Sequence, residues 1–196
     1  LYKIIERNKV EMLIHNGGSI FHDFQIASTS DVKIHTSDSQ SYPLSDLIEK
    51  PDINRPASLL VWNWIEGIEE APEGSITRLC EGWGIPVLLF TAPGCDFWHL
   101  FKGGKYWGML AEKMHRYLGD LRIRFKNPFH YVCMGSAVIH PEIFTKAIAG
   151  IPKPEFKADV VDFLDMYRPR TRISQYGEYY KMTHKEYLGK WLRDEL

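Results

Sequence analysis

A chain of 196 residues with 44% hydrophobic and 13% aromatic side chains is too rich in core-forming residues to be disordered. Its 24 basic and 25 acidic residues leave a formal charge of −1, which argues against a dedicated nucleic-acid binder. The length suits one large domain, or one domain plus the start of another, and supports a sizeable core. The longest apolar run, Ile85 to Pro93, falls well short of the roughly 18 to 20 residues that span a bilayer, so no membrane partner is expected. The opening Leu1-Tyr-Lys-Ile-Ile-Glu-Arg7 is too charged for a signal-peptide core. Cys80, Cys95 and Cys133 are odd in number and far apart, which fits a reducing compartment and makes a cytoplasmic location the expectation. The closing Arg193-Asp-Glu-Leu196 imitates an ER-retrieval signal, an address without meaning unless the chain enters the secretory route.

In chain order, Val10 to His15 predicts a strand that ends at Asn16-Gly-Gly18, a turn or a strand-to-helix loop. Val32 to Thr36 predicts a second strand, and Leu44 to Glu49 a short helix after Pro43. Leu59 to Trp64 is apolar almost throughout, the pattern of a strand covered on both faces. Glu73 to Trp83 predicts a helix stopped by Gly84, followed by a buried strand over Ile85 to Thr91. Tyr106 to Leu118 has helical spacing up to Gly119, while Leu121 to Phe125 and His130 to Met134 predict strands. Pro141 to Ala149 predicts a helix with proline in its first turn. Ala158 to Leu164 predicts a last strand, and Thr183 caps a helix reaching Glu195.

Such alternation implies an α/β, Rossmann-like fold, a mostly parallel sheet with helices on both faces. Residues 1–150 would form this domain, and residues 151–196 a linker, an extra strand and a helix packing back on it. Ligands in these sheets bind beyond the carboxyl ends of the strands. That topology singles out Asn16, Gly17 and Gly18, then Asn63 and Glu66, then Thr91 onward, then Gly135 and Ser136. The loop from Thr91 to Lys105 holds Asp96, His99, Lys102, Gly103, Gly104 and Lys105 ahead of a helix. Glycine amides, lysines and a helix N-terminus together suit a phosphate. The Walker A spacing is absent, so no P-loop nucleotide chemistry and no cofactor are implied. Asp96, His99 and Glu66 are the candidate catalytic groups, because a general base needs a carboxylate or imidazole within hydrogen-bond reach. The simpler reading of each residue is structural: a helix start, solvated lysines, or aromatics such as Trp62, Trp64, Phe97 and Trp98 in a core. No histidine or cysteine pair has metal-ligand spacing, and a lone Cys95 or Cys133 reads as a small buried hydrophobe. The stretch Arg168-Pro-Arg-Thr-Arg172, followed by Tyr176, Tyr179, Tyr180 and Lys181, has the mix that stacks on a nucleic acid. Nearby Glu178 and Glu186 dilute it and favour a solvated surface.

Val138-Ile-His-Pro-Glu-Ile-Phe144, the linker Ile151-Pro-Lys-Pro154 and Phe156-Lys-Ala-Asp-Val-Val161 resemble the hinge of GT-B glycosyltransferases, the CgeB-like group in particular. Upstream, Arg55-Pro56, Leu59-Leu-Val-Trp-Asn63 and Gly84-Ile-Pro-Val-Leu-Leu-Phe90 follow a similar order. The resemblance implies transfer of a sugar from a sugar nucleotide to a hydroxyl acceptor, with Asp96 or His99 as base and Lys102 and Lys105 steadying negative charge. It departs from that family at Val161-Asp-Phe-Leu-Asp165, where a glycine would approach the donor phosphates, and only residues 155–196 follow the hinge. Met12-Leu-Ile-His-Asn-Gly-Gly18, Gly84-Ile-Pro-Val-Leu88 and His140-Pro-Glu142 are also similar in order to class I glutamine amidotransferases. In that register Thr91 stands where the nucleophilic cysteine belongs, with Cys95 displaced. The function alternative from another class is a catalytically inert Rossmann-type binding module.

Overall fold

The computed structural model describes residues 2–7, 10–28, 33–35, 41–43, 57–92, 104–151 and 155–196. The fold is α/β and Rossmann-like, with helices alternating with short parallel strands. The chain divides into two compact units, built on residues 4–103 and 104–196. No helix of the described residues is long and apolar enough to cross a membrane.

In the first unit, β1 (Leu13–Asn16) runs parallel to β4 (Val87–Phe90), with Asn16 opposite Phe90. Parallel strands need a crossover rather than a hairpin. This one contains α2 (Gly17–Ser28), an antiparallel pair β2 (Lys33–His35) and β3 (Ser41–Pro43), α3 (Ala57–Glu66) and α4 (Ile76–Gly82). A short α1 (Tyr2–Glu6) precedes them. Helix α2 buries Ile20, Phe24 and Ala27, a spacing that places all three on one face. The expected helix over Leu44 to Glu49 lies outside the described residues.

Two expected strands are helices. Leu59 to Trp64 lies inside α3, where Leu60, Val61, Trp62 and Ile65 are buried. A continuous apolar run fits a buried strand or a buried helix equally well. The helix stop decides it: Gly67 takes φ +74°, its amide donates to the Trp64 carbonyl, and the Ile68 amide donates to that of Asn63. That is a Schellman cap, with glycine where a Cβ would be strained. Leu121 to Phe125 likewise continues α5 (Gly104–Arg124), which passes through Gly119 instead of ending there. Glycine in a helix costs about 1 kcal/mol. Burial of Leu110, Leu121 and Phe125 in register outweighs that cost.

The second unit continues from α5 through β5 (Phe129–Met134), α6 (Ile139–Ile148), β6 (Phe156–Val161), α7 (Tyr167–Arg172), a 3-10 turn at Ser174–Tyr176, β7 (Tyr179–Tyr180) and α8 (His184–Leu192). All three strands are parallel, in the order β5-β6-β7. Phe144 on α6 sits among Tyr131, Phe156 and Tyr176, at ring separations of 5.0, 5.5 and 5.8 Å. Pro141 occupies the first turn of α6, where no intrahelical amide is lost. Thr183 caps α8 in a reciprocal box with Glu186. Strand β6 stops at Val161, three residues short of the expected end, because the Asp162 carboxylate accepts the Leu164 amide and turns the chain.

Gly177 passes close to β6. A Cβ there would lie 2.5 Å from the Ala158 carbonyl oxygen and 2.6 Å from Asp159 Oδ1. Because one of these neighbours is backbone, Gly177→Ala is expected to destabilise this unit by about 1–3 kcal/mol. Urea denaturation followed by tryptophan fluorescence reads the change, and an unshifted midpoint would contradict the close approach.

Candidate functional site at the carboxyl end of β1

Strand β1 passes into α2 without a linker, so Gly17 and Gly18 are the first two residues of that helix. The first amides of a helix have no intrahelical acceptor. Asn16 and Ser19 meet this need reciprocally: Asn16 Oδ1 accepts the Ser19 amide at 2.8 Å, and Ser19 Oγ accepts the Asn16 amide at 3.0 Å. Thr91 is buried and follows β4 directly, one residue beyond the partner of Asn16. Asn16, Gly17, Gly18 and Thr91 therefore share one edge of the ladder, as the topology argument expected.

Beneath that edge lies a polar chain that sequence reasoning missed. His15 is 6% exposed. Its Nδ1 is 2.9 Å from Ser19 Oγ and its Nε2 is 3.1 Å from Thr77 Oγ1. The Thr77 hydroxyl donates to Asp23 Oδ2 at 2.7 Å. Since the Thr77 proton is committed to Asp23, His15 Nε2 must carry the proton given to Thr77, and Nδ1 is left as the acceptor facing Ser19. Burial pushes His15 down to about 4, so the ring is neutral around pH 7. Asp23 also accepts the Ile76 and Thr77 amides, at 2.7 and 2.9 Å, which ties α2 to the first turn of α4. Burial raises its carboxyl above the ordinary value, and those bonds oppose the rise. The Asn16-x-x-Ser19 spacing is a readable capping signal, whereas nothing local marks Thr77 as a partner of Asp23, 54 residues away.

The other expected site residues are dispersed. Asn63 is buried within α3, and Glu66 is the last residue of that helix. Neither follows a strand, so the reason for placing them at the sheet edge is withdrawn. Gly104 and Lys105 open α5. Asp96, His99, Lys102, Gly103 and Cys95 lie outside the described residues. Gly135 and Ser136 follow β5 directly in the second unit. Gly135 takes φ +61° and makes room for the His184 ring, whose Cε1 lies 2.8 Å from where a Cβ would stand. Ser136 Oγ accepts the His140 amide. Cys133 is buried, with its thiol pushed up to about 12, which rules out a thiolate at neutral pH. His140 and Glu142 both lie in α6, and Glu142 is ion-paired with Arg172. Arg170 pairs with Asp165 and lies over the Tyr179 ring at 4.9 Å. Two arginines of the basic stretch are thus already engaged within the chain.

A groove of about 680 Å³ runs along α4, lined in part by Glu70, Glu73, Arg78, Glu81 and Trp83. Arg78 is held by all three carboxylates, with Glu70 nearest at 2.5 Å. An anion would meet an acidic rim there, so phosphate chemistry is better served at the β1 edge. No protein family, curated protein or solved structure matches this chain.

Proposed function

We propose that this protein binds a phosphate-bearing small molecule of the sugar-nucleotide kind at the carboxyl edge of β1 and β4, and transfers its sugar to a hydroxyl acceptor. The observation that carries the binding step is the direct run of β1 into α2 through Gly17 and Gly18. A helix N-terminus reached from a parallel strand, with no side chains in its first two positions, lets an anion approach backbone amides and the positive end of the helix dipole. The transfer step rests on the GT-B resemblance. There Asp96 or His99 takes the acceptor proton, and Lys102 and Lys105 offset the charge of the leaving diphosphate.

Titration with uridine diphosphate glucose, followed by tryptophan fluorescence, tests the binding step. A saturable change is expected for the native protein, and its loss for Gly18→Glu. A carboxylate in the first turn favours the helix itself, so this variant repels the ligand without unseating α2. Absence of saturation, or an unchanged response in Gly18→Glu, overturns the reading. It would leave the inert module, which the reciprocal Asn16–Ser19 cap favours by giving those groups a folding role.

A further inference from the structure

We propose that Ser19 is a nucleophile, activated through His15, Thr77 and Asp23, and that the protein hydrolyses carboxylic esters at the carboxyl end of β1. The proposal stands without the transferase reading. A helix cap needs Asn16 and Ser19 alone. Here the Ser19 hydroxyl carries an additional, buried apparatus: it is exposed, yet 2.9 Å from the Nδ1 of an imidazole whose other nitrogen leads through Thr77 to a carboxylate. The Asp23 carboxylate is itself 3.9 Å from His15 Nε2. Nucleophile, base and orienting acid follow one another in the order that acyl transfer requires, with the threonine hydroxyl inserted between base and acid. Ser19 also lies in the first turn of α2, where the helix dipole favours an alkoxide and the oxyanion that follows. The Asn16 carbonyl, 3.1 Å away, is a second acceptor for the Ser19 hydroxyl. It is further off than the imidazole nitrogen.

In the reaction, Ser19 Oγ forms a bond to the ester carbonyl carbon while its proton passes to His15 Nδ1. The imidazolium is then held by Thr77 and the Asp23 carboxylate. The bond from carbonyl carbon to alkoxy oxygen breaks, and the leaving oxygen takes the Nδ1 proton and departs as an alcohol. Water attacks the acyl-serine, its proton goes to Nδ1, and collapse releases the carboxylic acid and restores the Ser19 hydroxyl. His15 and Ser19 are the catalytic residues of this scheme, and Thr77 and Asp23 are positioning residues.

A fluorophosphonate probe reads nucleophilicity covalently, and p-nitrophenyl acetate reads turnover. Labelling is expected on the peptide containing Ser19, absent in Ser19→Ala, and slowed by about 10³-fold in His15→Gln. Thr77→Val should slow it by about 10²-fold, and Thr77→Ser, which restores the hydroxyl, should recover most of the rate. Asp23 anchors α4, so its substitution risks the fold, and the Thr77 pair carries the test. The pH profile adds a readout that a cap cannot supply. Among the described residues, the titratable group set against His15 is Asp23 on α2; Cys80 on α4, which interacts with Asp23, is held protonated by burial, up to about 11, and β4 sets Leu89 opposite. With His15 neutral throughout, labelling is expected to be level across about pH 6 to 8, whereas a hydroxide-driven reaction rises about tenfold per pH unit. No labelling of the native protein, labelling on another residue, equal rates in Thr77→Val and Thr77→Ser, or a rate climbing steadily with pH would each overturn the proposal.

Discussion

Asp159→Ala is expected to lower the unfolding free energy of the second unit by about 1.5–3 kcal/mol. The side chain is 1% exposed. One oxygen accepts the Glu178 amide at 2.8 Å, and the other lies 2.7 Å from His130 Nε2 and 3.0 Å from Lys157 Nζ. Truncation leaves the Glu178 amide, in a part-buried bond, without its acceptor at the edge where β7 joins β6. Lys157→Met provides the contrast. Its ammonium is half-exposed, and its ordinary value is raised by the hydrogen bond to Asp159. Water takes over when that bond is lost, so the change should stay under about 1 kcal/mol. Asp159→Asn keeps an acceptor for Glu178 and should fall between the two. Urea denaturation monitored through Trp191 orders the three. An Asp159→Ala midpoint as mild as that of Lys157→Met would show that the carboxylate is not what joins these strands.

Acidification is expected to weaken the first unit by up to about 3 kcal/mol through His15 alone. The unfolded chain protonates this ring near 6.5, the fold only near 4, because burial disfavours the charged form. Between those values the unfolded state binds more protons, so stability rises with pH in that window. The contribution is fully present above about pH 6.5 and is lost as pH falls towards 4. Asp23, whose carboxyl is raised by burial, acts in the opposite sense at the acid end. Urea midpoints at about pH 7 and pH 4.5 should therefore diverge in the native protein and draw together in His15→Gln. Equal divergence in both would assign the acid sensitivity to other groups.

The elements that sequence patterning captured are those with a signal confined to a few neighbouring residues. Val87–Phe90 is a buried strand between Pro86 and Thr91, and Thr183 with Glu186 marks a helix start at fixed spacing. The misread elements are those decided by distant packing. Helix α3 is apolar on nearly every position, and its Gly67 stop, which could have been read, was the discriminating mark. Helix α5 overrides Gly119 because Leu121 and Phe125 continue its buried face. Strand β7 has two residues, too few for any periodicity to register. At the ends of β1 and β4, the positions of Asn16, Gly17, Gly18 and Thr91 followed from the strand pattern. Ser19, Asp23 and Thr77 did not, because the polar chain crosses between α2 and α4 and only the fold brings those hydroxyl and carboxylate groups together.

Asp23 serves two clients at once: it seats the opening turn of α4 and terminates the polar chain behind His15. Any substitution that retunes the imidazole through this carboxylate will also loosen α4, so chemistry and folding cannot drift apart at this position. Divergence that kept one role and abandoned the other would need a new anchor for α4 first. Variation in reactivity has a freer path through Thr77, whose hydroxyl can be changed while both backbone amides stay bound.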